Sequence, residues 1–412
     1  MARIGALSLG GRGAAPGAPT VFGVAFDLTR PPASDFIYRP DSTSWEIELK
    51  AGQRSVVGRT TEVLERSVLL GSALEYAQRC MDIVAYEKRS EMVLANPGGT
   101  HVLLFPRDNT LVLQYADVSA VGVSLSGNLT VRDKDGNIKT QQPVPAVWTP
   151  GLRFYRLSQS SRDLYDAYRN LFLGLEALLD SLCPKGPDER EREWLVRALS
   201  TVSIAAGLTE LVPKEVTDPV AYVVGTQYDH IRLRLFHAKP SRTGKTLDLP
   251  DPEEVGSAYE RLIRIWRQIA ERCLSVRSGG SSAMTYVGFR MMMDGVLSSG
   301  LTMYMTEDDS PFNKDDRAVS PLGKRLYPFQ ETRYVGETAP GRVAILGSSS
   351  PAAGDDMPII HRIGVSNDRS VLLVGVITDG LKISGVDVFE SVQTLRLRNL
   401  GLPKTAFGAD PD

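Results

Sequence analysis

Residues 164–182 read LYDAYRNLFLGLEALLDSL, and this stretch decides how the middle of the chain is read. Its apolar positions are Leu164, Tyr168, Leu171, Leu175, Leu178 and Leu182. They recur at intervals of four and three, which places one apolar stripe along a helix. Ser160 or Ser161 can cap the start, and Pro184-Lys185-Gly186-Pro187 stops the run. Working outward, a second helix is predicted from about Asp188 through Trp194, Leu195, Ala198, Leu199 and Val202. A third starts at Asp218-Pro219, a cap followed by proline at the first helical position. A fourth starts at Asp251-Pro252-Glu253-Glu254 and carries Val255, Tyr259, Leu262, Trp266, Ile269 and Cys273. Four such stripes predict a four-helix bundle over residues 151–279.

The flanks have a different period. Alternating or β-branched runs fall at Val21–Leu28, Ser44–Leu49, His101–Phe105, Leu111–Tyr115 and Val118–Leu125. One helix, about Glu62 to Tyr86, interrupts them, and Asp135-Gly136 marks a hairpin turn. Residues 20–150 therefore read as a mainly β domain with one helix, preceded by a flexible Gly/Ala/Pro-rich arm, residues 1–19. Residues 280–412 read as a second mainly β domain, with strands at Thr285–Met293, Leu301–Met305, Arg342–Leu346, Ile359–Val365, Val371–Thr378 and Val392–Leu397. The expected fold class is α+β and multidomain, with the helical bundle between two β domains.

Composition narrows the function classes. The 412 residues carry 47 basic and 49 acidic side chains, a net charge of −2, so a generally basic nucleic-acid coat is excluded. Three scattered cysteines, Cys80, Cys183 and Cys273, make neither a disulfide framework nor a zinc knuckle and fit a reducing compartment. No apolar run reaches the length of a membrane span. The expectation is a cytoplasmic protein with no metal or cofactor.

The chemistry-bearing stretch is Tyr228-Asp229-His230-Ile231-Arg232-Leu233-Arg234-Leu235-Phe236-His237-Ala238-Lys239. Five basic residues, Arg232, Arg234, Lys239, Arg242 and Lys245, lie between Arg232 and Leu247 without an acid. Four residues separate Arg232 from His237, one of only four histidines. An arginine fork can hold a phosphate and a histidine can move a proton near neutrality, the two parts that RNA cleavage by a ribose 2′-hydroxyl needs. In-line geometry wants two proton-handling groups, so a two-fold dimer would bring two copies of the pair together. The plain alternative is a helix C-terminal turn whose Arg and His complement the helix dipole. Glu176 interrupts the apolar face beside Leu175 and can pair with Arg232 or orient His237; the plain alternative is a half-buried Glu serving any nearby Arg. Tyr228 shares the helix face of Arg232, for base stacking or for core packing.

The run from Leu157 to about Arg277 resembles a HEPN domain of the ApeA-like branch. The matching residues are Asp166-Ala167-Tyr168-Arg169-Asn170-Leu171-Phe172 leading to Leu175-Glu176-Ala177-Leu178, then Glu193–Leu199, then Tyr228–Lys239. Much of the chain also looks like the proteins called methylamine utilization protein MauJ. The resemblance implies a four-helix bundle with an Arg-x4–6-His signature, matched by Arg232 and His237. It implies a dimeric, metal-independent endoribonuclease with catalytic Arg232, His237 and Glu176. Arg234, Lys239, Arg242 and Lys245 would guide the RNA backbone. The β domains would sense a protein trigger, in phage defence. Other family members are inactive scaffolds. The residue after the family arginine is usually polar, and Leu233 at that place favours a non-catalytic accessory protein acting through partners.

Three other motifs are set aside, two of them on their spacing. Gly244-Lys245-Thr246 lacks the first glycine and the leading strand of a phosphate loop. Asp133–Asn137 places its glycine wrongly for a calcium loop. Glu307-Asp308-Asp309 with Asp315-Asp316 could bind a divalent ion, but an acidic loop is usually just solvated.

Overall fold

The computed structural model describes residues 1–13, 15, 17–88, 92–95, 99–121, 135, 147–161, 163–236, 252–276, 286–298, 300–311, 313, 318–351, 357–367 and 370–397. The chain forms two compact units. One joins Met1–Val123 to Met284–Asp412, and the other is Ser124–Ala283.

The first unit is built from strands β1 (Ala2–Ile4), β2 (Leu7–Gly10), β3 (Phe22–Asp27), β4 (Phe36–Tyr38), β5 (Glu46–Leu49), β6 (Ser55–Thr60), β7 (His101–Arg107) and β8 (Thr110–Val121). Its C-terminal half adds β9 (Thr302–Thr306), β10 (Leu326–Pro328), β11 (Glu331–Ala339), β12 (Arg342–Ser349), β13 (Ile359–Ser366), β14 (Val371–Lys382) and β15 (Val388–Leu397). A nine-stranded sheet has the order β11-β12-β15-β8-β7-β3-β6-β5-β4, and a six-stranded sheet β10-β9-β13-β14-β1-β2. Helix α1 (Arg66–Lys88) buries Leu69, Ala73, Leu74, Ala77 and Cys80 against the larger sheet. Burial of these apolar faces, at roughly 25 cal/mol per Å² of apolar surface, holds the unit together.

The sheets correct the expected pair of separate β domains. β15 runs parallel to β8 from Val388↔Val112 to Leu397↔Val121, and β1 pairs with β14. Strands from the two ends of the chain thus share both sheets, in one unit. Period-two alternation says which face of a strand is buried but not which strand lies beside it. The expected flexible arm is also corrected, since residues 2–4 and 7–10 are β1 and β2, with Ile4, Leu7 and Leu9 buried. The strand expected at Thr285–Met293 is instead helix α8 (Tyr286–Leu297). Phe289, Met293 and Leu297, four residues apart, are its buried positions. The hairpin expected at Asp135-Gly136 lies, except for Asp135, outside the described residues.

The second unit contains α2 (Pro150–Ser160), α3 (Leu164–Leu182), α4 (Glu191–Ala206), a 3-10 turn (Leu208–Leu211), α5 (Pro219–Val223), a π-helical stretch (Val224–Arg232), α6 (Leu233–Phe236) and α7 (Pro252–Leu274). The expected central four-helix bundle is not what forms; the helices are more numerous and more broken than four long stripes imply. α2, an element not expected from the sequence, packs along α3 and stacks Tyr155 on Trp266 of α7, with ring centroids 4.5 Å apart. The third expected helix is broken into the short α5, the π stretch and the four-residue α6. A stripe of period 3.6 carries no sign of a change in backbone hydrogen-bond register. The caps are partly as expected. Asp218 accepts from Val220 N and Ala221 N, with Pro219 at the first helical position. The cap of α3 is Asp163, bonded to Asp166 N, whereas Ser161 ends α2. Gly207, at φ 64°, closes α4 in a left-handed turn that few side-chain-bearing residues accept.

Candidate functional site

Three separate segments of the helical unit converge on one guanidinium. Arg232 is the last residue of the π stretch. The wider turn of a π-helix keeps residues four apart near one face. Tyr228 and Arg232 therefore both face α3, and the amide of Leu233 bonds back to Tyr228 O to complete the register. Arg169 of α3 fixes the segment that follows, donating from Nε and Nη2 to Leu235 O at 3.1 and 2.8 Å. Tyr168, also on α3, donates its hydroxyl to Gln227 O at 2.8 Å.

Arg232 Nη2 donates to Glu191 Oε1 at 2.5 Å and lies 3.5 Å from Glu176 Oε1. Glu191 opens α4 and Glu176 sits within α3, so one cation ties three segments. The guanidinium carbon lies 4.5 Å from the ring centroid of Phe236, 5.2 Å from Tyr228 and 6.0 Å from Phe172. The three rings favour a cation over their faces. Only 13% of the Arg232 side chain is exposed, and its Nε is buried without a hydrogen-bond partner.

The two carboxylates compete for the same charge. Burial, then the hydrogen bond and negative charge of Glu191, push the Glu176 carboxyl up to about 8, against the opposing pull of Arg232. Glu176 therefore keeps its proton near neutrality while Glu191 carries the salt bridge. Burial and the same acids also push the Tyr228 phenol up. The cluster can hold a proton and a positive charge side by side, the elements of general acid chemistry on an anion. An incoming phosphate would have to displace Glu191 from Arg232.

Of the residues singled out by sequence, the structure brings Arg232 and Glu176 together. Arg234 lies apart from them, its Nη1 3.3 Å from Glu254 Oε2, and His230 bonds the other oxygen of Glu254. Nearby Arg192 is paired to Asp229 at 2.8 Å. His237, Lys239, Arg242 and Lys245 lie outside the described residues. Glu191, Phe172 and Phe236 were not picked out. Glu191 reads in the sequence as an ordinary acid at a helix N-terminus, and its contact with Arg232 spans 41 residues. The signal available was the spacing of Tyr228, Arg232 and Phe236.

Among the described residues, no group of three or more His, Cys, Asp or Glu side chains is placed to hold a metal ion, and no helix is long and apolar enough to cross a membrane. No family model, curated protein or solved structure matches the chain.

Proposed function

We propose that the chain is a non-catalytic adaptor acting through partners, in which Arg232 organises the helical unit instead of handling substrate. The observation that carries this reading is the occupancy of Arg232. The donor that a phosphodiester would need is bonded to Glu191, shared with Glu176 and covered by three rings. The pairing of Arg192 and Arg234 with acids supports it further, because it leaves less uncompensated positive charge beside the motif. Three free cysteines suit a cytoplasmic setting.

A second reading is favoured by the proton on Glu176. It is a metal-independent endoribonuclease working by 2′-hydroxyl attack at a dimer-shared Arg/His site. Glu176 supplies a titrating acid, His237 a second proton-handling group, and the β unit restrains the site until an antiviral trigger frees Arg232 from Glu191. The deciding experiment is incubation of structured and single-stranded RNA in EDTA with wild type, Arg232→Lys and His237→Ala. The adaptor reading expects no product from any of them at any protein concentration. Cleavage by wild type that is lost in both variants overturns it in favour of the nuclease. Solution mass gives a second discriminator, since the shared site requires a dimer.

A further inference from the structure

The β unit contains a crevice of about 230 Å³ with no part in the reading above. It opens beside β10, at an edge of the smaller sheet. Its floor is apolar, formed by Met305, Met357, Ile383 and Phe389. Ile383 and Phe389 are fully buried, and Phe389 is stacked on Phe329 with centroids 5.6 Å apart. These side chains are packed in place, so the floor is not a gap that neighbours can swing in to fill.

The rim is also fixed. Ser350 N donates to Gln330 Oε1 at 3.0 Å, and Gln330 Nε2 donates back to Ser350 O at 3.4 Å. Lys382 Nζ donates to Met357 O at 2.5 Å and holds that backbone. Both rim amides are spent on each other, which leaves the mouth one strong polar group. Arg325 lines the crevice, with its guanidinium carbon 4.9 Å from the ring centroid of Tyr327. Its neighbour Lys324 is neutralised by Asp309 at 2.8 Å, but Arg325 meets no acid among the described residues. A preformed apolar cavity with one convergent polar group has the usual make-up of a small-molecule site.

We propose that this crevice binds a small apolar molecule bearing a carboxylate, with its hydrocarbon part on Met305, Met357, Ile383 and Phe389 and its anionic head on Arg325. The planar guanidinium, laid over Tyr327, offers two parallel donors, the match for a carboxylate. The site stands independently of the adaptor reading and gives the β unit a ligand of its own.

The test uses the full chain labelled with methyl-13C methionine, titrated with octanoate and, separately, with 2-naphthoate. Met305 and Met357 methyl signals, assigned through Met305→Leu and Met357→Leu, are expected to shift saturably with at least one acid. The exposed Met291 is expected to stay still. Arg325→Gln, at an exposed position that should not disturb folding, is expected to weaken binding about tenfold or more, as is replacing the acid by its amide. The proposal is overturned by no saturable shift with either acid at millimolar concentration. It is equally overturned if Arg325→Gln or the amides bind as tightly as the wild-type pair.

Discussion

Two buried acid clusters, one in each unit, differ in whether a cation is set among them. In the helical unit, the carboxylates of Glu176 and Glu191 surround a cation, Arg232. In the β unit, Asp27 of β3 and Asp117 of β8 occupy the face of the larger sheet that Tyr115 also occupies, as the registers of β3, β7 and β8 dictate. Asp379 of β14 comes from the smaller sheet and accepts from Ser55 Oγ at 2.7 Å. Gly375 of β14 faces the same place, since a Cβ there would lie 2.9 Å from Tyr115 Oη and 3.0 Å from Asp117 Oδ2. Among the described residues, no ion pair joins a guanidinium to these acids, although Arg54 lies near enough to act on Asp27. Burial, then the charges of Asp379 and Asp117, push the Asp27 carboxyl up to about 7 although Arg54 opposes the shift. Burial likewise pushes Asp117 up, against the bond from Thr100 Oγ1 at 2.8 Å. The helical cluster adds a counter-charge, Arg232, to the proton that Glu176 keeps, whereas Asp27 and Asp117 in the β unit rely chiefly on burial and a raised pKa. A buried pair is vulnerable to loss of one partner, whereas a protonated acid is vulnerable to pH.

The largest expected effect tests the first half of that contrast. Arg232→Ala leaves two facing acids without a cation and a hole among three rings. The loss of stability is expected to be about 3 kcal/mol, from the penalty of breaking a buried pair. Urea denaturation measures it. Arg232→Lys keeps the charge but not the fork and should fall between the two. Equal stability of wild type and Arg232→Ala would remove the clamp from the argument, and with it the main support for an organising role.

The pH dependence tests the second half. A carboxyl whose pKa is higher folded than unfolded binds more protons in the native state at intermediate pH, so stability falls as pH rises. For Asp27 the window runs from its ordinary 3.8 to about 7, and for Glu176 from 4.5 to about 8. Stability is therefore expected to be fullest below these windows, as far as these two groups go, and to decline through neutrality. Asp27→Asn should flatten the decline in the β unit and leave that of the helical unit. Glu176→Gln should do the reverse. Each effect is on the order of 3 kcal/mol between pH 5 and 8. Unfolding monitored through tryptophan separates the units, because Trp45 lies in the β unit and Trp194 and Trp266 in the helical unit. A flat profile from pH 5 to 8 in wild type would sink the protonated-acid account.

How much of this could be read from the sequence follows the same division. The stripe of α3, the Asp218-Pro219 cap and most strand positions are local patterns and were legible. Arg232 and Glu176 were legible as candidates because an arginine next to a short basic run, and an acid on an apolar face, stand out singly. The joining of β8 to β15 was not legible, because residues 112 and 388 are brought together by pairing rather than by any local pattern. The π stretch was hidden because its residues, Val224 to Arg232, look like ordinary helix formers and turn residues. The inter-sheet acids were missed altogether. Asp27, Asp117 and Asp379 each stand near the end of an apolar run, where an acid reads as a solvated boundary, and only tertiary structure puts them near one another.

Gly375→Ala probes the same inter-sheet layer by volume instead of charge. The added methyl would press on Tyr115 Oη and Asp117 Oδ2, two groups on the facing sheet. Tyr115 Oη is buried without a hydrogen-bond partner and can yield somewhat. A loss of about 1–2 kcal/mol is expected, the usual cost of overpacking, and it should shift the pH profile of Asp117 more than that of Glu176. An effect confined to stability, with both carboxyl titrations unchanged by 13C NMR, would place the contact away from the acid cluster.

The smallest expected effect concerns how the clamp is delivered. Asp218 is the only capping side chain at the start of the segment that becomes the π stretch, accepting from Val220 N at 3.0 Å and Ala221 N at 2.9 Å. Asp218→Ala should cost about 1 kcal/mol, the typical worth of such a cap. The position of the loss is more informative than its size. If Arg232 is anchored by Glu191, Glu176 and the rings, fraying should stop near Tyr222. Hydrogen exchange would then quicken at amides 220–222, with those from Tyr228 to Arg232 unchanged. Faster exchange through Arg232 would mean that the π register is imposed from its N-terminal cap and not from the ion-pair cluster. The contrast drawn between the two acid clusters would then have to be redrawn around the cap.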